Sequence, residues 1–229
     1  MDVLNQLFST LQVKAEVFHN GQYCGNWSLD TSGSHYMSFH VVSHGRCFVT
    51  STANDDKVDS MEAGDIILFP RDAKHKLSND PDFKPEVNAA TSRAFSEGLQ
   101  DNGTGLICGY FAHSHPFMEQ LTAHLPDYIL LKCNEFAEQS LGLLVRALLD
   151  ESIKQDKGST FILARISEAI LASLLRAPLS GDQGLLAALV NPRLAKVLAE
   201  VHDKPEHRWT LDQLADVAHM SRAGFAELF

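Results

Sequence analysis

Two hydrophobic periods divide this chain. Up to about residue 130, short apolar stretches recur between turn signals, at residues 22–29, 36–42, 46–51, 65–70 and 106–112. Segments this short, separated by glycine, aspartate, asparagine and serine clusters, predict the strands of a sandwich or barrel, not βαβ units. Residues 79–105 are polar and predict a long mobile loop on that β domain. Past Asn134 the period lengthens. Phe136, Leu141, Leu144, Val145, Leu148 and Leu149 fall at helical spacing. After a break at residues 156–159, Ser159 or Thr160 caps a second helix, in which Phe161, Leu163, Ile166, Ile170, Leu171, Leu174 and Leu175 are apolar, and Pro178 and Gly181 end it. The two helices make a hairpin whose apolar faces need a partner, either the β domain or the same hairpin of a second subunit.

A third region opens at Asn191–Pro192, with proline suited to the first helical position. Leu194, Val197, Leu198 and Val201 give one helix face. Thr210 and Gln213 fit a capping box at the next helix, whose apolar side is Leu211, Leu214, Ala215 and Ala218. His219 and Met220 form a tight turn, and Ser221 caps a last helix that runs to Phe229. The fold class is therefore α+β. A β-barrel domain covers residues 1–133, a helical hairpin for dimerisation or linkage 134–180, and a partial helix-turn-helix 191–229.

Composition changes this picture in three ways. The 229 residues carry a net charge of −10, which argues against a general nucleic-acid coat or a membrane-surface binder, though not against a small DNA-reading element. No signal peptide and no apolar run of roughly 18 residues is visible, so the chain is expected in the cytoplasm, off the membrane, with its four cysteines reduced. Its 11 histidines are about 5%, roughly double ordinary usage. No CxxC pair, Walker loop or nucleophile elbow accompanies them.

The C-terminal pattern Trp209-Thr210-Leu211, Leu214-Ala215, Ala218, Met220-Ser221-Arg222, Phe225 and Leu228-Phe229 resembles the first helix-turn-helix of AraC-type transcription regulators. The resemblance implies DNA reading by Ser221, Arg222 and Ala223, at the front of the second helix. His219 stands where the family usually has glycine. The family's DNA-binding domain resembles two such units, and one is present here, so the chain is expected to be a fragment cut short within that domain. Weak DNA affinity is expected too. From residue 191 on, Arg193, Lys196, Lys204, Arg208 and Arg222 are outnumbered by Glu200, Asp203, Glu206, Asp212, Asp216 and Glu227.

Gly64, Pro70, Asp72, His75 and Asn79 resemble the second motif of the cupin family, with Asp72 in place of the usual glycine. That resemblance implies a jelly-roll barrel with the His75 side chain at a metal. The stretch corresponding to the first cupin motif, residues 36–45, lacks the HxH pair and the glutamate, but His40 lies in the right strand. Cys24 and Cys108 sit in two further strands. With His40 and His75 they form a candidate Cys2His2 set, which suits a closed zinc site. Residues 22–27, 39–47, 69–75 and 108–116 also look like the cupin-type sensor domain of a subset of AraC-like regulators, which opens a redox role for Cys24 and Cys108. Against this stands the ordinary reading of a strand cysteine as a small buried hydrophobe, which is preferred for Cys47 and Cys133. His113 and His115 read as solvated or capping residues. His19, His35, His44, His124, His202 and His207 read as surface residues.

Three functions compete. A transcription regulator would sense a small molecule, metal or oxidant in the cupin-like domain, dimerise through the hairpin and read DNA. A metal-dependent cupin enzyme, such as a dioxygenase or isomerase, needs an open coordination position and the missing first-motif ligands. A plain dimeric binding module for a sugar or acid differs from the regulator in the role of His75. The regulator is preferred and the chain is expected not to be an enzyme.

Overall fold

The computed structural model describes residues 13–51, 57–82, 91–113, 122, 125–176 and 192–228. His115, His124, Pro178, Gly181, Asn191 and Phe229 lie outside these, as do the side chains of Leu175 and His202. The first 130 residues do form short antiparallel strands, namely β1 (Lys14–Tyr23), β2 (Ser28–Asp30), β3 (Met37–His44), β4 (Arg46–Ser51), β5 (Lys57–Glu62), β6 (Ile66–Phe69), β7 (His75–Ser78), β8 (Ser92–Arg93), β9 (Thr104–Ala112) and β10 (Ile129–Leu131). They lie in two sheets. One has six strands in the order β10-β6-β3-β9-β1-β8, and the other has four in the order β2-β7-β4-β5. The crossed strand order of these two antiparallel sheets is that of a jelly roll.

Trp27, Met61, Phe69, Leu77, Leu106 and Ile67 are almost fully buried in a core that draws on both sheets. Residue 23 ends β1, so the expected strand over 22–29 is in fact split by a bend between β1 and β2. Residues 91–105 of the polar segment are more anchored than expected of a mobile loop. Phe95 is buried in a short 3-10 turn, and the Gln22 side chain donates to the Gly98 carbonyl at 2.6 Å and accepts from the Gln100 amide at 3.0 Å.

The helical segment forms α1 (Cys133–Phe136), α2 (Ser140–Lys154) and α3 (Ser159–Arg176). The hairpin finds one of its two expected partners. Residues 13–113 and 125–173 make one compact unit. Within it the Ala15 amide donates to Glu168 at 2.9 Å, and the Asn20 side chain donates to the Ser152 carbonyl at 3.0 Å. Val145, Leu148, Leu163 and Ile170 are buried, while Leu143 and Phe161 stay 62% and 69% exposed.

The C-terminal unit contains α4 (Pro192–Asp203), α5 (Leu211–Val217) and α6 (Arg222–Leu228). The capping box is present. The Thr210 hydroxyl accepts from the Gln213 amide, and the Gln213 side chain accepts from the Thr210 amide at 2.9 Å. The turn after α5 has the hydrogen bonds of a Schellman motif, Met220 amide to Ala215 carbonyl at 2.9 Å and His219 amide to Asp216 carbonyl at 3.0 Å. His219 takes the left-handed position, at φ 53°, that glycine fills with less strain. Leu194, Val197, Ala215, Ala218 and Phe225 form its small core.

Candidate functional site

The cupin-like motif is a strand, a turn and a strand, β6 to β7. The Asn79 side chain closes it by accepting from the Trp27 amide at 2.8 Å. His75 opens β7 on the four-stranded sheet and is fully buried. It stacks on Phe69, with ring centroids 3.6 Å apart and planes 9° from parallel. His40 comes from β3 on the opposite sheet and is also fully buried. Across the core, His40 Nε2 and His75 Nε2 lie 3.1 Å apart.

Register sets what stands beside them. In the six-stranded sheet, His40 lies opposite Cys108 on one side and Ile67 on the other, and Cys108 lies opposite His19. Opposed residues of antiparallel strands share a face. His19, Cys108 and His40 therefore form one row facing the core, where Cys108 packs with Tyr23, Cys47 and Leu106. Cys24, just past Tyr23 and of opposite parity, is half-buried and does not join that core cluster. So the structure brings His40, His75 and Cys108 towards one interior region and leaves Cys24 aside. Among the described residues, no group of three or more His, Cys, Asp or Glu side chains is placed to hold one metal ion.

Reading His19 and His44 as surface residues is incorrect. His19 stacks on Tyr23 at 4.6 Å, its Nδ1 is 3.3 Å from the Tyr23 hydroxyl, and its buried Nε2 has no hydrogen-bond partner. His44 sits edge-on to Phe95, with both ring nitrogens buried and unpartnered. A one-residue bulge explains His19. Pairing with β9 shifts between Val17 and His19, which turns Phe18 outward and brings His19 to the interior row. His35 and His207 are exposed, as expected.

The loop from β2 to β3 supplies a residue the sequence reading missed. Thr31 Oγ1 is 2.8 Å from His75 Nε2 and 3.1 Å from His40 Nε2. The Asp72 carboxylate holds this loop. It accepts from the Gly33 and His35 amides at 2.9 and 2.7 Å and from the Ser34 hydroxyl at 3.2 Å. Asp72 itself is left-handed, at φ 54°. A glycine would relax the backbone there but could not hold the loop.

Burial keeps the imidazoles neutral. Desolvation pushes His40 well below the usual histidine range, and the neighbouring His75 and His19 push it further. His75 is lowered by burial, against the opposing pull of the Ala73 carbonyl and of Asp72 and Asp30. His19 is lowered by burial as well. An unfolded imidazole titrates near pH 6.5, so below that value the unfolded chain binds more protons than the folded one. Folding stability of the metal-free protein is therefore expected to be full above about pH 6.5. It falls as pH drops from there towards the lower folded-state values. Urea midpoints at about pH 7.5 and about pH 5.5, with chelator present, check this; equal midpoints would show that these rings are not held neutral. Burial also pushes the Cys108 thiol far up and the Cys47 thiol to about 12, so both are protonated at neutral pH.

At the C-terminal unit, Ser221 caps α6 by accepting from the Gly224 amide at 3.2 Å. Ser221, Arg222 and Ala223 are exposed at its leading end. Arg222 Nε lies 3.5 Å from the exposed Asp212 carboxylate, a surface pair weak enough to give way to a phosphate.

The family model and the full-length relatives agree with this layout. The family model described as Cupin matches residues 2–180. Over its whole length the chain is 26% identical to an HTH-type transcriptional regulator of Haemophilus influenzae, covering 78% of that protein. It is likewise 26% identical to the HTH-type transcriptional regulator MtrA of Neisseria gonorrhoeae, covering 77%, and 23% identical to the RCS-specific HTH-type transcriptional activator RclR of Escherichia coli, covering 75%. Among solved structures, fatty-acid-bound ToxT of Vibrio cholerae aligns with a TM-score of 0.37 at 10% identity, over 95% of this chain and 72% of that one. The chain belongs to the cupin family, and the relatives it matches over its whole length are HTH-type transcriptional regulators, not enzymes.

Proposed function

We propose that this regulator reads DNA through Ser221, Arg222 and Ala223 and senses a small molecule or a metal at the His40–His75 pair of its cupin domain. The observation that carries the sensing part is the 3.1 Å approach of two buried, neutral imidazole nitrogens from opposite sheets. Zinc or a similar divalent ion suits such nitrogens. Two of them bound to one ion at about 2.0–2.1 Å lie about 3–3.4 Å apart. In the Cys2His2 form of this reading, Cys108 must release its proton to solvent and bind the ion as thiolate, and Cys24 must be drawn inward. An oxidant sensor at Cys108 has less support, because a buried protonated thiol is a poor nucleophile. Homodimer formation rests on the hairpin, whose Leu143, Phe161, Ile153 and Ile162 are exposed.

Elemental analysis of the purified chain is expected to find about one zinc, and His75→Ala to lose it. A metal-free native preparation would remove the metal reading and leave the small-molecule one. In a gel shift, DNA binding is expected to be weak and steeply salt-dependent. Tight, salt-insensitive binding would contradict the role given to Arg222.

A further inference from the structure

The contacts among Thr31, His40 and His75 do not balance as hydrogen bonds. Thr31 Oγ1, His40 Nε2 and His75 Nε2 form a triangle with edges of 2.8, 3.1 and 3.1 Å. His75 Nδ1 lies 2.7 Å from the Ala73 carbonyl. A carbonyl only accepts, so this nitrogen carries the ring hydrogen and His75 Nε2 is a bare lone pair. Thr31 brings one hydrogen. His40 brings at most one, and in that case its Nδ1 is left as a buried lone pair without a partner. Three edges thus share two hydrogens at most. Thr31 Oγ1, His75 Nε2 and, when its ring hydrogen is on Nδ1, His40 Nε2 each bring a lone pair to this triangle. Their spacing is close to the roughly 3.0 Å between neighbouring donors set about 2.1 Å from one ion at right angles.

Thr31 is not placed by a strand. Asp30 accepts from the Ser32 amide at 3.1 Å and from its hydroxyl at 2.5 Å, which folds the chain just after Thr31. Asp72 then gathers Gly33, Ser34 and His35, at the cost of its own left-handed backbone. These bonds fix the residues on either side of Thr31, whose hydroxyl meets the two rings.

We propose that Thr31 is the third donor of a divalent-cation centre built with His40 and His75, and that the Asp72 carboxylate is the group that positions it. This rests on the metal reading of the histidine pair. It differs from a closed Cys2His2 site, because two imidazoles and one hydroxyl on one face leave coordination positions for water or an effector.

Cobalt(II) is the probe, titrated into the full chain after chelator treatment and followed by visible absorption and by competition with a chelating dye. One ion is expected to bind. Thr31→Val keeps the shape without the hydroxyl and is expected to weaken affinity about tenfold or more, while Thr31→Ser stays near wild type. Asp72→Asn is expected to weaken binding too, and to add little on top of Thr31→Val, as a group acting through Thr31 must. A wild-type chain that binds no cobalt overturns both the metal reading and this assignment. Binding that is lost in His75→Ala but unchanged in Thr31→Val overturns the assignment alone. If Thr31→Val does not fold, Thr31→Ala against Thr31→Ser makes the same comparison.

Discussion

Replacing Phe69 by alanine is expected to destabilise the cupin domain by about 3–5 kcal/mol, seen as a lower urea midpoint at unchanged slope. Phe69 is fully buried, stacks on His75 at 3.6 Å and reaches Tyr128 with ring centroids 6.0 Å apart. Its ring joins the apolar core to the polar centre. Removing it leaves a cavity and frees the His75 ring to rotate away from His40. Phe69→Leu keeps most of the volume and is expected to cost about 1–2 kcal/mol, while still loosening His75. Metal binding should thus weaken in both variants, and stability chiefly in the first. An alanine variant within about 1 kcal/mol of wild type would show that the sandwich core lies elsewhere.

Phe225→Ala is expected to melt the C-terminal unit and abolish DNA binding. Phe225 is fully buried and closes the core of Leu194, Val197, Ala215 and Ala218. The expected loss of about 3–5 kcal/mol is as large as the whole stability such a small unit can have. Arg222→Ala makes the contrast. Its side chain is 67% exposed, so the helical circular dichroism should not change while DNA binding weakens and its salt slope falls by about one. DNA binding by Phe225→Ala at wild-type strength would sink the assignment of α6 as the reading helix.

Much of the fold was legible in the sequence. The apolar stretches at 36–42, 46–51, 65–70 and 106–112 lie on β3, β4, β6 and β9, because each keeps its core-facing side chains in short apolar runs. Helix starts at Pro192 and after Thr210 followed from proline and a capping box, which act locally, while Ser159 begins its helix with its hydroxyl donating to Glu151 instead of capping it. β1 was missed over most of its length. It carries Lys14, Glu16 and an exposed Phe18, and its bulge breaks the alternation on which strand reading depends. β5 was missed for a similar reason, with one buried residue, Met61, in six.

The site divides in the same way. His75 was legible because a motif fixes its turn, and His40 because strand parity does. Thr31 gave no signal, since a loop residue has no period. The same bulge that hid β1 hid His19.

What the sequence by itself determined is most of the elements, their order, the cupin and helix-turn-helix resemblances, and the two histidines that meet in the core. Those depend on neighbours a few residues apart. Only the tertiary structure decided which groups meet. It paired His40 with His75 across two sheets, moved His19 inward, left Cys24 aside and set Thr31 between the rings. Such meetings depend on strand register and on a carboxylate 41 positions beyond Thr31, at Asp72, and no local pattern records either.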